Sequence, residues 1–354
     1  MNMTPEILDR LRPIGCTPPI AQALAQLGVP DAAMRVAEVH RDSVVLHDGC
    51  RERRAQALPR LARELAAGGD GLAVGDWVLA SEDTHGAVWI SARMPPLSQI
   101  TRRSDSGARQ CLVTNVDTAL IVMGLDGDFN LRRLERYLAM VQGAGVWPVV
   151  LLTKRDLAAD PEGLVRAVRE RVPATVPLHA LDARAPDAAA VLGDVLAPGQ
   201  TLVLLGSSGT GKSTLTNALL GRAVQATGAV RADDSRGRHT TTVRSLHLLP
   251  GGACVIDTPG LRGLQADLGT AALEASFADL AVLAAHCRYR DCSHTDEPDC
   301  AVRAGLNPDR LANFHKMKRE IRRDSMSYLD RRRQLAEWKA RSRGAELRAR
   351  LKRG

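Results

Sequence analysis

The spacing of hydrophobic positions changes along this chain, and each change predicts a different kind of element. In residues 1–30, Ile7, Leu8 and Leu11, then Ile20, Leu24 and Leu27, recur at helical intervals and predict an amphipathic N-terminal arm. From Met34 the period shortens. Val36, Val39, Val44-Val45-Leu46, Leu72-Ala73-Val74, Trp77-Val78-Leu79 and Val88-Trp89-Ile90 are short apolar runs, parted by Asp48-Gly49, Gly68-Gly69-Asp70-Gly71, Gly75-Asp76 and His85-Gly86. Short strands at this spacing predict a small β-barrel, and the length and the Val74–Val78 segment fit an oligonucleotide-binding (OB) barrel. A small β-domain with no nucleic-acid role fits the same pattern.

Residues 93–111, with Pro95-Pro96 and Arg93, Arg102, Arg103 and Arg109, read as a basic linker. Beyond it strands are expected over 118–124, 147–153, 175–179, 201–205, 245–249 and 253–257, alternating with helices over 131–142, 161–171, 186–196, 212–220 and 270–285. Strand–helix alternation predicts a doubly wound parallel sheet that binds nucleotide at the strands' C-terminal ends. The expected organisation is an arm over 1–34, an OB-type barrel over 35–98, an α/β nucleotide domain over 99–268 and a helical module over 269–354.

The apolar run 201–205 ends in Gly206-Ser207-Ser208-Gly209-Thr210-Gly211-Lys212-Ser213-Thr214, the phosphate-loop pattern between a strand and a helix. Gly206 and Gly211 let the backbone curl so that N–H groups face phosphate oxygens, Lys212 reaches the β- and γ-phosphates, and Ser213 ligates Mg²⁺. A second strand runs into Asp257-Thr258-Pro259-Gly260, where Asp257 holds Mg²⁺ through water and the Gly260 N–H contacts the γ-phosphate. Between them, Arg238-His239-Thr240-Thr241-Thr242 offers a threonine, Thr241 among them, to complete the Mg²⁺ shell. A third strand leads into Thr153-Lys154-Arg155-Asp156, similar to the Asn-Lys-x-Asp guanine motif. Asp156 can accept from guanine N1–H and N2, which adenine cannot match, and the Lys154 stem lies over the purine. This base motif precedes the phosphate loop, the reverse of the usual order, so the domain reads as a circularly permuted GTPase.

Charge and cysteine placement add a third region. From Arg310 to Gly354 there are sixteen Lys/Arg against five Asp/Glu, so the net charge of +8 belongs to the C-terminal end. Asn307-Pro308 opens a helix there with Leu311, Phe314, Met317 and Ile321 on its apolar stripe, and the basic excess favours RNA contacts. Cys287-x4-Cys292-x-His294-x5-Cys300 suits one tetrahedral, structural Zn²⁺, with His286 as the competing ligand. No apolar run approaches the length of a membrane span, so a soluble cytoplasmic monomer without membrane contact is expected.

Together these motifs, with Gln110–Asp117 and Val74-Gly75-Asp76, resemble the family of circularly permuted, ribosome-small-subunit-dependent GTPases called RsgA, YjeQ or EngC. The resemblance implies an OB barrel, a permuted GTPase domain and a zinc domain. It also implies hydrolysis of GTP to GDP and phosphate, stimulated by the small ribosomal subunit and its rRNA during late subunit maturation. Thr153 stands where Asn is usual, and His179-Ala180 where a Ser-Ala base-backing loop is expected. Leu261 replaces the water-orienting glutamine of Ras-like proteins, which implies slow unassisted hydrolysis and makes His239 the candidate for orienting water. The alternative is a zinc-dependent RNA-binding assembly platform with a structural nucleotide site.

Overall fold

The structure, a computed structural model, describes residues 3–103, 109–185, 188, 190–222, 244–258 and 265–325. It forms two compact units, divided between Asp267 and Leu268. His239, Thr240, Thr241, Thr242, Gly260 and Leu261, and the basic tail beyond Ser325, lie outside the described residues.

In the first unit, α1 (Pro5–Leu11) and α2 (Pro18–Gln26) form the arm and bury Ile7, Leu11, Ile20 and Leu24 against Trp77 and Met94. The barrel consists of β1 (Ala33–Val39), β2 (Val44–His47), β3 (Glu52–Ala57), β4 (Trp77–Glu82) and β5 (Val88–Arg93). Its strands close in the circuit β1-β2-β3-β5-β4-β1, with β3 and β5 parallel and the other pairs antiparallel. One helix, α3 (Pro59–Ala67), bridges β3 and β4, and Leu61 packs on Val36, Leu46, Val78 and Ile90 of the barrel interior. This is the five-stranded OB barrel expected, with one exchange: the apolar run Leu72-Ala73-Val74 forms no strand, and the polar Glu52–Ala57 supplies β3 instead.

The stretch read as a basic linker is instead a hairpin, β6 (Gln99–Arg103) with β7 (Arg109–Thr114), joined by β14 (Gln265–Ala266). Ile100 and Val113 face each other in register and are both buried, while the arginines sit on the less buried positions. Alternation masked by charge made the strands look like a solvated segment.

The nucleotide domain follows as β8 (Thr118–Gly124), α4 (Leu131–Gly143), β9 (Trp147–Thr153), α5 (Pro161–Arg169), β10 (Leu178–Ala180), β11 (Thr201–Leu205), α6 (Lys212–Leu220), β12 (Ser245–Leu248) and β13 (Cys254–Asp257). Its sheet order is β10-β9-β8-β11-β13-β12, all parallel except the β12–β13 pair. The helix expected over 186–196 is only a 3-10 segment, Ala190–Val195, which buries Leu192. A single rung, Glu38 opposite Ser245, joins β12 to β1 and makes the barrel continuous with this sheet.

Arg35 of β1 locks that junction. Fully buried, it donates to the Ile14 carbonyl at 2.6 Å, Thr201 Oγ1 at 2.8 Å, the Asn115 carbonyl at 2.9 Å and the Gly75 carbonyl at 3.4 Å. The arm, the barrel, the hairpin exit and the phosphate-loop strand thus share one guanidinium. The Val74-Gly75-Asp76 segment belongs to the same joint. Gly75 has φ +96°, and a Cβ there would come within 2.1 Å of the Thr114 carbonyl. Buried Asp76 accepts from Thr114 Oγ1 and the Ala73 N–H, both at 2.8 Å, and pairs with Arg93 at 3.0 Å. Asn115 and Asp117 serve it too, through Asn115 Nδ2 to the Gly75 carbonyl at 3.0 Å and the Thr201 N–H to Asp117 at 2.8 Å.

The second unit contains α7 (Thr270–Ser276), α8 (Ala278–Ala284), α9 (Ala301–Gly305) and α10 (Pro308–Ser325). The helix expected over 270–285 breaks at Phe277, whose ring is buried 5.4 Å from that of Phe314 and lies 4.3 Å below the Arg310 guanidinium. Arg310 also grips both carboxylate oxygens of Asp279, at 2.9 and 2.8 Å.

Removing the Arg35 guanidinium orphans several buried acceptors at once. Arg35→Ala is expected to lower the unfolding free energy by about 3–5 kcal/mol, read from urea denaturation, with Arg35→Lys recovering only part of the loss because an ammonium lacks the planar fork.

Candidate functional site

β11 delivers the chain to Gly206, where a Cβ would come within 2.3 Å of the Val122 carbonyl of β8. The loop turns through Gly209 (φ +82°) and Gly211 (φ +92°), and α6 starts at Lys212. Ser207 and Thr210 are buried, Ser208 and Gly209 face solvent, and Ser213 and Thr214 lie half-buried in the first turn of α6. Lys212 is buried, and its ammonium folds back on the carbonyls of Gly206 at 3.0 Å and Ser207 at 2.5 Å. Burial lowers its pKa to about 8, against the pull of Asp257. Thr210 Oγ1 donates to the Ser207 carbonyl at 3.1 Å and holds the loop closed on itself.

Asp257, at the end of β13, is 1% exposed, and among the described residues neither carboxylate oxygen has a hydrogen-bond partner. Burial pushes its pKa up to about 6, opposed by the positive charge of Lys212. A buried carboxylate left bare beside a phosphate loop fits a hydrated cation, which is what Mg²⁺ brings. Thr258 Oγ1 donates to the Leu204 carbonyl at 2.6 Å and ties this strand end to the phosphate-loop strand.

The permuted base motif reaches the same edge. Thr153 is buried at the end of β9, and its Oγ1 donates to the Thr210 carbonyl at 2.7 Å. The Thr153 hydroxyl thus fastens the end of β9 to the Gly206–Thr214 loop. Lys154 adopts φ +57° at the head of a 3-10 turn, Arg155–Leu157. Asp156 is exposed, and Arg155 ion-pairs with Glu162. His179 and Ala180 lie beside Leu151 and Leu152 on the neighbouring strand β10.

Two acids here were not singled out from sequence. Asp126 Oδ2 binds the Lys154 ammonium at 2.6 Å, and a Cβ on Gly124 would come within 2.5 Å of Asp126 Oδ1. Asp128 pairs with Arg133 at 2.7 Å while its Oδ2 is buried without a partner, and its charge supports that of Lys212. Both sit in Gly124-Leu125-Asp126-Gly127-Asp128, which reads as an ordinary turn; the signal was that a turn full of acids ends a strand beside the loop.

In the second unit, Cys287, Cys292, His294 and Cys300 bring their ligand atoms within 4.8 Å of one another, and His286 is not in the group. His294 Nδ1 lies 3.6 Å from Cys287 Sγ and 3.5 Å from Cys300 Sγ, and those two sulfurs are 3.9 Å apart. Such edges fit a tetrahedral ion with ligand distances of about 2.0–2.3 Å. The chain reaches this arrangement by placing His294 at φ +62°, with its carbonyl 3.2 Å from His315 Nε2.

The family model described as RsgA GTPase matches residues 94–267. The protein named small ribosomal subunit biogenesis GTPase RsgA from Xanthomonas axonopodis pv. citri is 45% identical over 295 residues, 81% of this chain and 80% of its own length. The chain belongs to the RsgA GTPase family. The protein of the same name from Xanthomonas euvesicatoria pv. vesicatoria matches equally, at 45% identity over the same shares. Among solved structures, YjeQ from Thermotoga maritima aligns with TM-score 0.59 at 23% identity, covering 82% of this chain and 98% of its own. YloQ, titled a circularly permuted GTPase, aligns with TM-score 0.54 at 22% identity, covering 84% and 96%. The fold is therefore that of a circularly permuted GTPase, and as a family member the chain is a GTP hydrolase that uses Mg²⁺ with GTP.

Two outcomes follow. Because Asp257 protonates near pH 6, Mg²⁺·GDP affinity is expected to fall by roughly tenfold per pH unit below that value, measured by calorimetry, with a flatter profile in Asp257→Asn. Asp126→Ala should weaken GDP and GTP binding alike by about tenfold with kcat at saturation unchanged, and the loss should vanish in a Lys154→Ala background.

Proposed function

We propose that this GTPase acts on the small ribosomal subunit during late maturation, in keeping with relatives named small ribosomal subunit biogenesis GTPase, and that the subunit stimulates its hydrolysis of GTP. The observation carrying the nucleotide chemistry is the state of the phosphate-loop edge: a buried Lys212 turned onto its own loop and a buried Asp257 whose carboxylate oxygens have no hydrogen-bond partner among the described residues.

Backbone N–H groups of Gly206–Thr214 and the Lys212 ammonium bind the phosphates, Ser213 and Asp257 hold the cation, and Thr241 is the third candidate ligand. When bound, Mg²⁺ neutralises charge that develops between the β- and γ-phosphates. Asp156 accepts from guanine, Lys154 covers the base while Asp126 steadies it, and Thr153 fixes their distance from the phosphate loop. The Gly260 N–H senses the γ-phosphate, and His239 orients the water. Leu261 supplies no such group, so the unassisted reaction is slow.

In the second unit the Cys287, Cys292, His294 and Cys300 set holds one structural Zn²⁺, and the basic C-terminal segment contacts rRNA. The chain works as a cytoplasmic monomer; among the described residues no helix is long and apolar enough to cross a membrane. Support for the zinc assignment comes from the donor set itself, three cysteine sulfurs and an imidazole whose ligand atoms all lie within 4.8 Å of one another.

Phosphate release with and without purified small subunits tests this reading. Subunits should raise the rate at least tenfold, and more subunit should co-sediment with the non-hydrolysable-analogue form than with the GDP form. Equal binding in both states with no stimulation would leave the platform reading.

A further inference from the structure

Away from the phosphate loop, the first unit contains a cavity of about 400 Å³ between barrel segment 69–74, strand β7 and Arg244, the residue leading into β12. Its polar lining is Asp70, Arg109, Gln110, Cys111 and Arg244. The position is telling: Ser245, next in the chain, is the register partner of Asp257 across β12–β13 and of Glu38 across β12–β1. Arg244 therefore sits one residue from the rung that joins the magnesium edge to the barrel.

The charges around this cavity do not balance. Asp70, the acid in the lining, is already engaged, with Oδ2 on Arg93 at 2.7 Å and Oδ1 accepting the Gly71 N–H at 3.0 Å. Burial pushes the Cys111 thiol up to about 11, so it stays neutral and offers no counter-charge. Gln110 spends its Oε1 on Arg102 at 3.0 Å. Arg109 shares Asp267 with Arg103, at 3.0 and 2.9 Å. Arg244 has no ion-pair or hydrogen-bond partner among the described residues, its Nε is fully buried and unpartnered, and the nearby Arg102 adds a like charge. Arg244 is half-buried as a whole, and a guanidinium with a buried, unpaired Nε beside a second and third arginine is costly unless an anion joins them. The space is large enough for a nucleotide-sized group.

We propose that this cavity binds a phosphate group, held by Arg244 on one side and Arg109 on the other. A planar guanidinium pair matches phosphate oxygens bidentately, which a lone carboxylate neighbour such as Asp70 would disfavour only if it were not already neutralised by Arg93. Two sources present this chemistry, a free phosphate and the phosphodiester of a single-stranded RNA. A phosphate bound here fixes the backbone entering the Ser245–Asp257 rung, so the site reports directly to the magnesium edge.

The test uses the full chain with saturating GDP and Mg²⁺, so that the phosphate loop is occupied. Calorimetry is run with inorganic phosphate, and separately with a uridine tetranucleotide lacking terminal phosphates. At least one probe should bind; Arg244→Ala and Arg109→Ala should each weaken it by about tenfold or more, and Arg244→Lys by less. Binding of phosphate identifies a free-ion site, and binding of the tetranucleotide alone identifies an RNA site. Thermal unfolding checks each variant, and exposed Arg109→Ala decides the matter should Arg244→Ala fail to fold. Binding of neither probe, or equal binding by wild type and both alanine variants, overturns the proposal.

Discussion

Two opposite charges buried at the ends of adjacent strands govern this molecule. Lys212 and Asp257 lie at the C-terminal edge of β11 and β13, both out of water and neither with a strong counter-ion in hydrogen-bond contact. Holding them there is unfavourable for the unliganded fold, as their displaced pKa values state. A polyphosphate and its cation relieve both at once. Everything else in the first unit serves to keep that edge in place: close-packed parallel strands behind it, the Thr153–Thr210 and Thr258–Leu204 ties across it, and the Arg35 joint beneath it.

Circular permutation is tolerated because the site is built from strand ends, which a parallel sheet presents whatever the order of connection. β12 is the outer strand of the nucleotide sheet and pairs with β1, so barrel and nucleotide sheet form one continuous sheet. The barrel is therefore anchored through a strand whose next neighbour carries Asp257. No long path separates the barrel from the phosphate-loop edge: a single rung joins β1 to the strand residue that pairs with Asp257.

Sequence made the chemistry legible because chemistry restricts residue type. The Cys/His cluster could be read from spacing, the barrel from strand length and turn residues, and the proposed nucleotide motifs all fall at the ends of neighbouring strands as their spacing suggested. Packing was harder to read. The β6–β7 hairpin hid behind arginines, since alternation of Ile100 and Val113 with charge resembles a linker. α3 hid between strands because Leu61 alone among its residues is fully buried. Phe277 interrupts an otherwise helical run only because its ring has a partner in Phe314, distant in sequence. Asp126 escaped notice for the same reason: its meaning lies in Lys154, 28 residues away.

Burial weakens both charges at the phosphate-loop edge until a ligand restores them, and proton linkage measures this most directly. With Lys212 near pKa 8 when free, phosphates that restore its charge must bring a proton with them above that pH. Calorimetric GDP titrations at pH 8.5, in buffers of different ionisation enthalpy, should show uptake of most of one proton, shrinking toward zero at pH 7. Binding without proton uptake at pH 8.5 would contradict the account, because Lys212 would then be fully charged before the nucleotide arrives.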